Sequence, residues 1–231
     1  MPRKIFYLLI LLFLILNSSC KQKTELKYLA LGDSYTIGES VPEDQRWPVQ
    51  LASKLRNERI SISKPDIIAT TGWTTDELQE KIDSLQPDKN YDLVSLLIGV
   101  NNQYRGYPID QYIKEFEELL NDAISFAGNE ATRVFVVSIP NYGVTPFGIL
   151  KGEDIIRQEL LRYDAIADSI SNLYEIPFIN ITPSSEKAKN DLSYIAKDEL
   201  HPSGKQYSEW VESIIPVVKS IIKSHEEKSR N

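Results

Sequence analysis

Four short stretches of this 231-residue chain carry the residue types that activate and use a nucleophile. Gly32-Asp33-Ser34 offers a hydroxyl behind a glycine, the residue that lets a backbone turn tightly. Thr70-Thr71-Gly72-Trp73 offers a backbone N–H that a ligand can approach closely. Gly99-Val100-Asn101-Asn102 offers side-chain amides, each with two donor hydrogens. Asp198-Glu199-Leu200-His201-Pro202 sets a carboxylate three residues before an imidazole. Taken singly, each has a plainer reading as a capped turn, a tight turn, loop asparagines or a surface pair. Taken together, they supply what nucleophilic acyl transfer requires: a hydroxyl, a base, a carboxylate and spare donors.

Scarcity narrows the chemistry further. The chain has one Cys and two His. An internal disulfide, a Cys-based zinc cluster, a CxxC redox pair and a multi-histidine metal site are therefore not expected, and no cofactor is implied. His225 lies in the polar C-terminal stretch and is assigned no function, so any imidazole chemistry falls to His201. Asp33 touches Ser34 in sequence, which suits a turn-stabilising role better than that of an orienting acid. Lys plus Arg number 26 against 33 Asp plus Glu, a net charge of −7, with no basic patch that would suit a nucleic acid.

These loops need elements to hold them. Short, nearly continuous apolar runs at Leu26–Leu31, Asp66–Ala69, Leu93–Ile98, Val134–Ile139 and Pro177–Ile181 read as strands buried on both faces. Helical patterns alternate with them: Trp47–Arg59, Thr75–Leu85, Ile109–Phe126, Glu153–Tyr174 and Gln206–Lys223. The spacing of Ile113, Phe116, Leu119, Leu120 and Ile124 makes the third of these amphipathic. Alternation of this kind predicts a parallel sheet of five strands with helices on both faces and right-handed crossovers. Such sheets bind ligands beyond the carboxyl ends of their strands, where three of the four stretches fall directly and the last precedes the final helix. No repeat or linker interrupts the chain. Residues 26–223 read as one domain and 224–231 as a polar tail.

At these positions the sequence resembles the SGNH hydrolases, also called the GDSL esterase/lipase family. The resemblance runs from about Tyr28 to the final helix, with Ser34, Gly72, Asn101 and His201 in the family's order. It implies an α/β/α flavodoxin-like sandwich and hydrolysis of carboxylic esters without a cofactor. It also implies Ser34 as nucleophile, His201 as base and Asp198 as the residue orienting it. The oxyanion hole would be formed by the backbone N–H groups of Ser34 and Gly72 and the side-chain amide of Asn101. One departure stands out: the family often reads G-x-N-D in the third block, and Asn102 replaces that Asp. Trp73, Tyr104, Arg105, Tyr142 and Phe147 lie on the same loops and are candidates for lining a substrate pocket, with residues 141–150 as its wall.

The N-terminus has its own pattern. Arg3 and Lys4 precede the apolar stretch Ile5–Leu16, which is shorter than the roughly 17–25 residues of a membrane-spanning helix and suits a secretory signal. Ser18 and Ser19 lead into Cys20, and the segment resembles a bacterial lipoprotein signal, with Asn17 where an aliphatic residue is usual. Residues 1–19 would be removed and Cys20 lipidated, leaving residues 20–25 as a polar tether. An ordinary cleaved signal and an uncleaved anchor are the other readings. The overall expectation is an envelope-located esterase acting on a small-molecule ester, with a monomer as the default where the sequence leaves the oligomeric state open. Its substrate is either an acyl lipid or thioester, as for a lysophospholipase, or an O-acetylated carbohydrate. The rival is a ligand-binding lipoprotein that keeps the fold without catalysis.

Overall fold

The computed structural model describes residues 25–228. Five strands, β1 (Tyr28–Gly32), β2 (Asp66–Ala69), β3 (Leu93–Leu97), β4 (Val134–Val137) and β5 (Phe178–Ile179), form one sheet in the order β2-β1-β3-β4-β5. Every pairing is parallel. The long helices are α1 (Trp47–Asn57), α2 (Thr75–Leu85), α3 (Ile109–Phe126), α4 (Glu153–Leu173) and α5 (Gly204–Lys228). Strand order reverses after β2, so right-handed crossovers put α1 on one face and α2, α3 and α4 on the other. α5 returns to pack on α1, and α3 packs between α2 and α4, completing a flavodoxin-like α/β/α sandwich.

The expected burial of the strands holds for the middle of the sheet. Every residue of β1, β3 and β4 is buried, whereas β2 at the edge is exposed at Asp66 and half-buried at Ile67 and Ile68. One polar pair enters this layer, Tyr28 Oη and Ser95 Oγ on adjacent strands, 3.0 Å apart. α2 begins where its sequence signals a start: the Glu77 carboxylate accepts the Thr74 N–H at 2.9 Å. α5 runs past the expected end at Lys223 as far as Lys228. Ile221 and Ile222 are the last buried apolar residues before the extension, in which Lys223 pairs with Glu227 one turn on.

Gly32 closes β1 and fixes how near the first loop can come to its neighbour. A Cβ there would collide with the backbone carbonyl of Leu97 and with the Thr36 side chain. Because one obstacle is backbone in the adjacent strand, relaxation must move the strand pair. Gly32→Ala is expected to destabilise the fold by about 2–3 kcal/mol, within the range of overpacked interior substitutions. Denaturant unfolding checks this, and an unchanged midpoint would show that the β1–β3 contact yields easily.

Candidate active site

Ser34 opens a single helical turn, Ser34–Ile37, directly after β1. Asp33 caps that turn, its Oδ1 accepting the Tyr35 N–H at 3.0 Å. First-turn N–H groups have no intrahelical acceptor, so the Ser34 N–H is left for another partner. Asp33 is fully buried, and its second oxygen has no partner among the described residues. Burial pushes its carboxyl up to about 7 against the pull of the Tyr35 N–H.

Gly72 follows β2 with φ +89°, a left-handed conformation that disfavours any side chain. Its N–H has no acceptor among the described residues. Two consecutive carbonyls are fastened to the third loop: Arg105 Nη2 donates to Gly72 O at 2.6 Å, and Asn101 Nδ2 donates to Trp73 O at 2.9 Å. Asn101 keeps a second amide hydrogen. Arg105 also pairs with Glu77 at 3.1 Å, the residue that caps α2. Asn102 completes the clasp from full burial, its Oδ1 accepting Thr75 N–H at 3.1 Å and its Nδ2 donating to Thr75 Oγ1 at 2.6 Å. The Thr75 hydroxyl in turn donates to Glu115.

Asp198 and His201 sit in a tight loop closed by Ala196 N–H donating to His201 O at 2.8 Å, with Glu199 between them at φ +63°. Asp198 Oδ2 lies 2.6 Å from His201 Nδ1, while Oδ1 accepts the Leu200 and His201 N–H groups at 3.0 and 2.9 Å. Ser40 Oγ donates to the same Oδ2 at 2.6 Å. Partial burial alone would raise this carboxyl; the hydrogen bonds from Ser40 and His201 overcome that and hold it at about 2. Asp198 is therefore a carboxylate at neutral pH, and it fixes which ring nitrogen of His201 carries the proton. The Tyr35 ring meets the imidazole edge-on, centroids 5.6 Å apart.

Ser34, Gly72, Asn101 and His201 all line one cavity of about 220 Å³. Of the candidate pocket residues, Tyr104, Tyr142 and Phe147 line it too. Tyr104 is the hub, its ring centroid 6.3 Å from Tyr142 and 6.2 Å from Phe147. Tyr142 is held by a bond from its hydroxyl to Gln103 at 2.9 Å, and Phe147 N–H reaches Glu199 O at 3.2 Å, tying the 141–150 wall to the histidine loop. Trp73 and Arg105 do not line the cavity. Trp73 packs on the core, and Arg105 is engaged with Gly72 and Glu77. Tyr35, Thr71, Val100 and Leu200 line the cavity without having been singled out. Each is sequence-adjacent to a motif residue, the one signal that could have marked them. Cys20 lies outside the described residues.

The sequence matches the GDSL-like lipase/acylhydrolase family over residues 30–208. It is 30% identical to an arylesterase of Vibrio mimicus over 142 residues, 59% of this chain and 66% of the relative's length. The fold is similar to the crystal structure of TesA, with a TM-score of 0.67 at 15% identity, covering 84% of this chain and 99% of that one. It is also similar to an acetylxylan esterase from Geobacillus stearothermophilus, with a TM-score of 0.59 at 17% identity, covering 84% and 94%. At those identities the structural likeness is one of fold.

Two outcomes follow from this geometry. Asn102→Asp, which restores the commoner family residue, is expected to cost about 1–3 kcal/mol here. The new carboxylate cannot donate to Thr75 Oγ1, and that hydroxyl has one proton to share between it and Glu115. An unchanged melting temperature would refute this account. The second concerns pH. A carboxyl raised by folding contributes stability below its unfolded value of 3.8 that is lost as pH climbs through about 7. Asp33→Asn keeps the Oδ1 acceptor and cannot ionise, so between about pH 5 and pH 8 its melting temperature should fall less than that of the parent. The residual fall belongs to Asp164, also raised to about 7 by burial. Parallel melting curves for the two proteins would contradict it.

Proposed function

The chain belongs to the GDSL-like lipase/acylhydrolase family, and from that membership we propose that it is a serine esterase hydrolysing small carboxylic esters through an acyl-enzyme. The observation carrying this reading is that Ser34 and His201 face one cavity with Gly72 and Asn101, while Asp198 holds the far nitrogen of His201 at 2.6 Å. His201 Nε2 takes the proton of Ser34 Oγ as that oxygen attacks the ester carbonyl. The carbonyl oxygen gains charge and is met by the Ser34 and Gly72 N–H groups and the free hydrogen of the Asn101 amide. His201 then protonates the departing alcohol, leaving the acyl group on Ser34. Water, deprotonated by His201, repeats the sequence and releases the acid. The intact set of reacting residues argues against a purely ligand-binding role.

The cavity supports a small substrate. At about 220 Å³ it falls below the roughly 300–1,000 Å³ of sites enclosing drug-sized ligands, and Tyr35, Tyr104, Tyr142 and Phe147 give it an aromatic wall. An acetyl or short acyl ester, or an aryl ester, fits this better than a long-chain lipid; the arylesterase relative and the acetylxylan esterase fold neighbour agree with that preference. The lipoprotein-type signal supports export and tethering through Cys20, with the domain held at a membrane of the cell envelope. Cys20→Ser should release the protein from the membrane fraction; retention would refute lipid anchoring.

A fluorophosphonate probe should label Ser34, and Ser34→Ala and His201→Ala should each lower kcat by at least about 10³-fold with the fold intact. A nitrophenyl ester series should show turnover peaking at short acyl chains. Wild-type turnover in either variant, or labelling elsewhere, would overturn the assignment.

A further inference from the structure

The loop after the nucleophile turn reaches both of the other parts of the site. Ser34 O accepts N–H groups from Gly38 and Glu39, each at 3.0 Å, so the loop folds back over the turn it leaves. The Glu39 carboxylate then accepts the hydroxyl of Thr71, the neighbour of Gly72. Ser40, the next residue, donates to Asp198 Oδ2 at 2.6 Å across 158 residues of sequence. No motif marks Ser40, and the reaction described above does not use it.

Two features bear on its role. The first is where its bond goes. Asp198 Oδ1 is pinned by two backbone N–H groups, and Oδ2 is shared by His201 and Ser40, so Ser40 is the only other side chain fixing the rotation of this carboxylate among the described residues. The second is its backbone, at φ +64°, a conformation that favours glycine. A residue that holds a left-handed conformation, where glycine would sit without strain, keeps its side chain against the local preference of the backbone. At Ser40 that side chain is occupied by the Asp198 bond.

We propose that Ser40 is a positioning residue for the reaction, its hydroxyl holding Asp198 in the orientation that supports His201. This rests on Asp198 and His201 acting as the acid and base for Ser34. The imidazole gains positive charge only as Ser34 attacks, so a carboxylate held in place matters to kcat and leaves substrate binding alone. A hydroxyl on a charged oxygen is a charge-assisted bond, stronger than a neutral one.

The proposal separates activity from stability. Ser40→Gly removes the hydroxyl and relieves the left-handed backbone, two effects that oppose each other; its melting temperature should stay close to the parent's while kcat falls about tenfold and KM stays put. Ser40→Thr keeps a hydroxyl but puts a β-branched side chain at positive φ; it should melt lower yet retain most of the turnover. A Ser40→Gly variant at parental kcat would overturn the proposal, as would a folded Ser40→Thr variant as slow as Ser40→Gly. Absence of ester turnover and fluorophosphonate labelling in the parent protein would instead sink the esterase reading beneath it.

Discussion

A strand covered on both faces has nowhere to put a charge. β1, β3 and β4 are buried throughout, and removing an ionised group from water into such a layer is prohibitive unless it is paired. The central sheet can therefore offer chemistry only where it ends. All strands run in one direction, so the ends of β1, β2 and β3 deliver Ser34, Gly72 and Asn101 to one rim. The constraint that makes the core apolar also gathers the polar residues into one place.

Delivery to a rim is coarse, and polar bonds refine it. The second and third loops are clasped by Arg105 on Gly72 and Glu77, Asn101 on Trp73, and Asn102 on Thr75. The first and last are joined through Ser40 and Asp198. The clasp consumes carbonyls and leaves the Gly72 N–H without an acceptor among the described residues. A donor held in place before charge develops spends no reorganisation when it does. Asn102 fits the same logic. An amide both donates to and accepts from Thr75, and a carboxylate could not do so beside Glu115.

The fold was legible because its two signals are strong and local. Continuous apolar runs marked the strands, and apolar spacing marked the helices. The edges were less legible: β5 pairs over two residues where five were expected, and α5 outlasts the apolar pattern that marked it. Within the site, residue type and loop membership identified Tyr104, Tyr142 and Phe147, since large aromatics beside a cavity tend to face it. The same reasoning failed for Trp73 and Arg105, because loop membership says nothing of side-chain direction. The core draws in the Trp73 ring, and two oxygens draw away the Arg105 guanidinium. Ser40 was out of reach for another reason: its partner is remote in sequence, and its left-handed backbone leaves no trace in residue type.

Parallel strands have a second end. Leu26, paired with Ile62, brings the chain into the sheet at the rim opposite Ser34, Gly72 and Asn101, and β1 alone separates the two rims by about 15 Å. The first paired residue and the residues that line the cavity thus lie at opposite ends of β1.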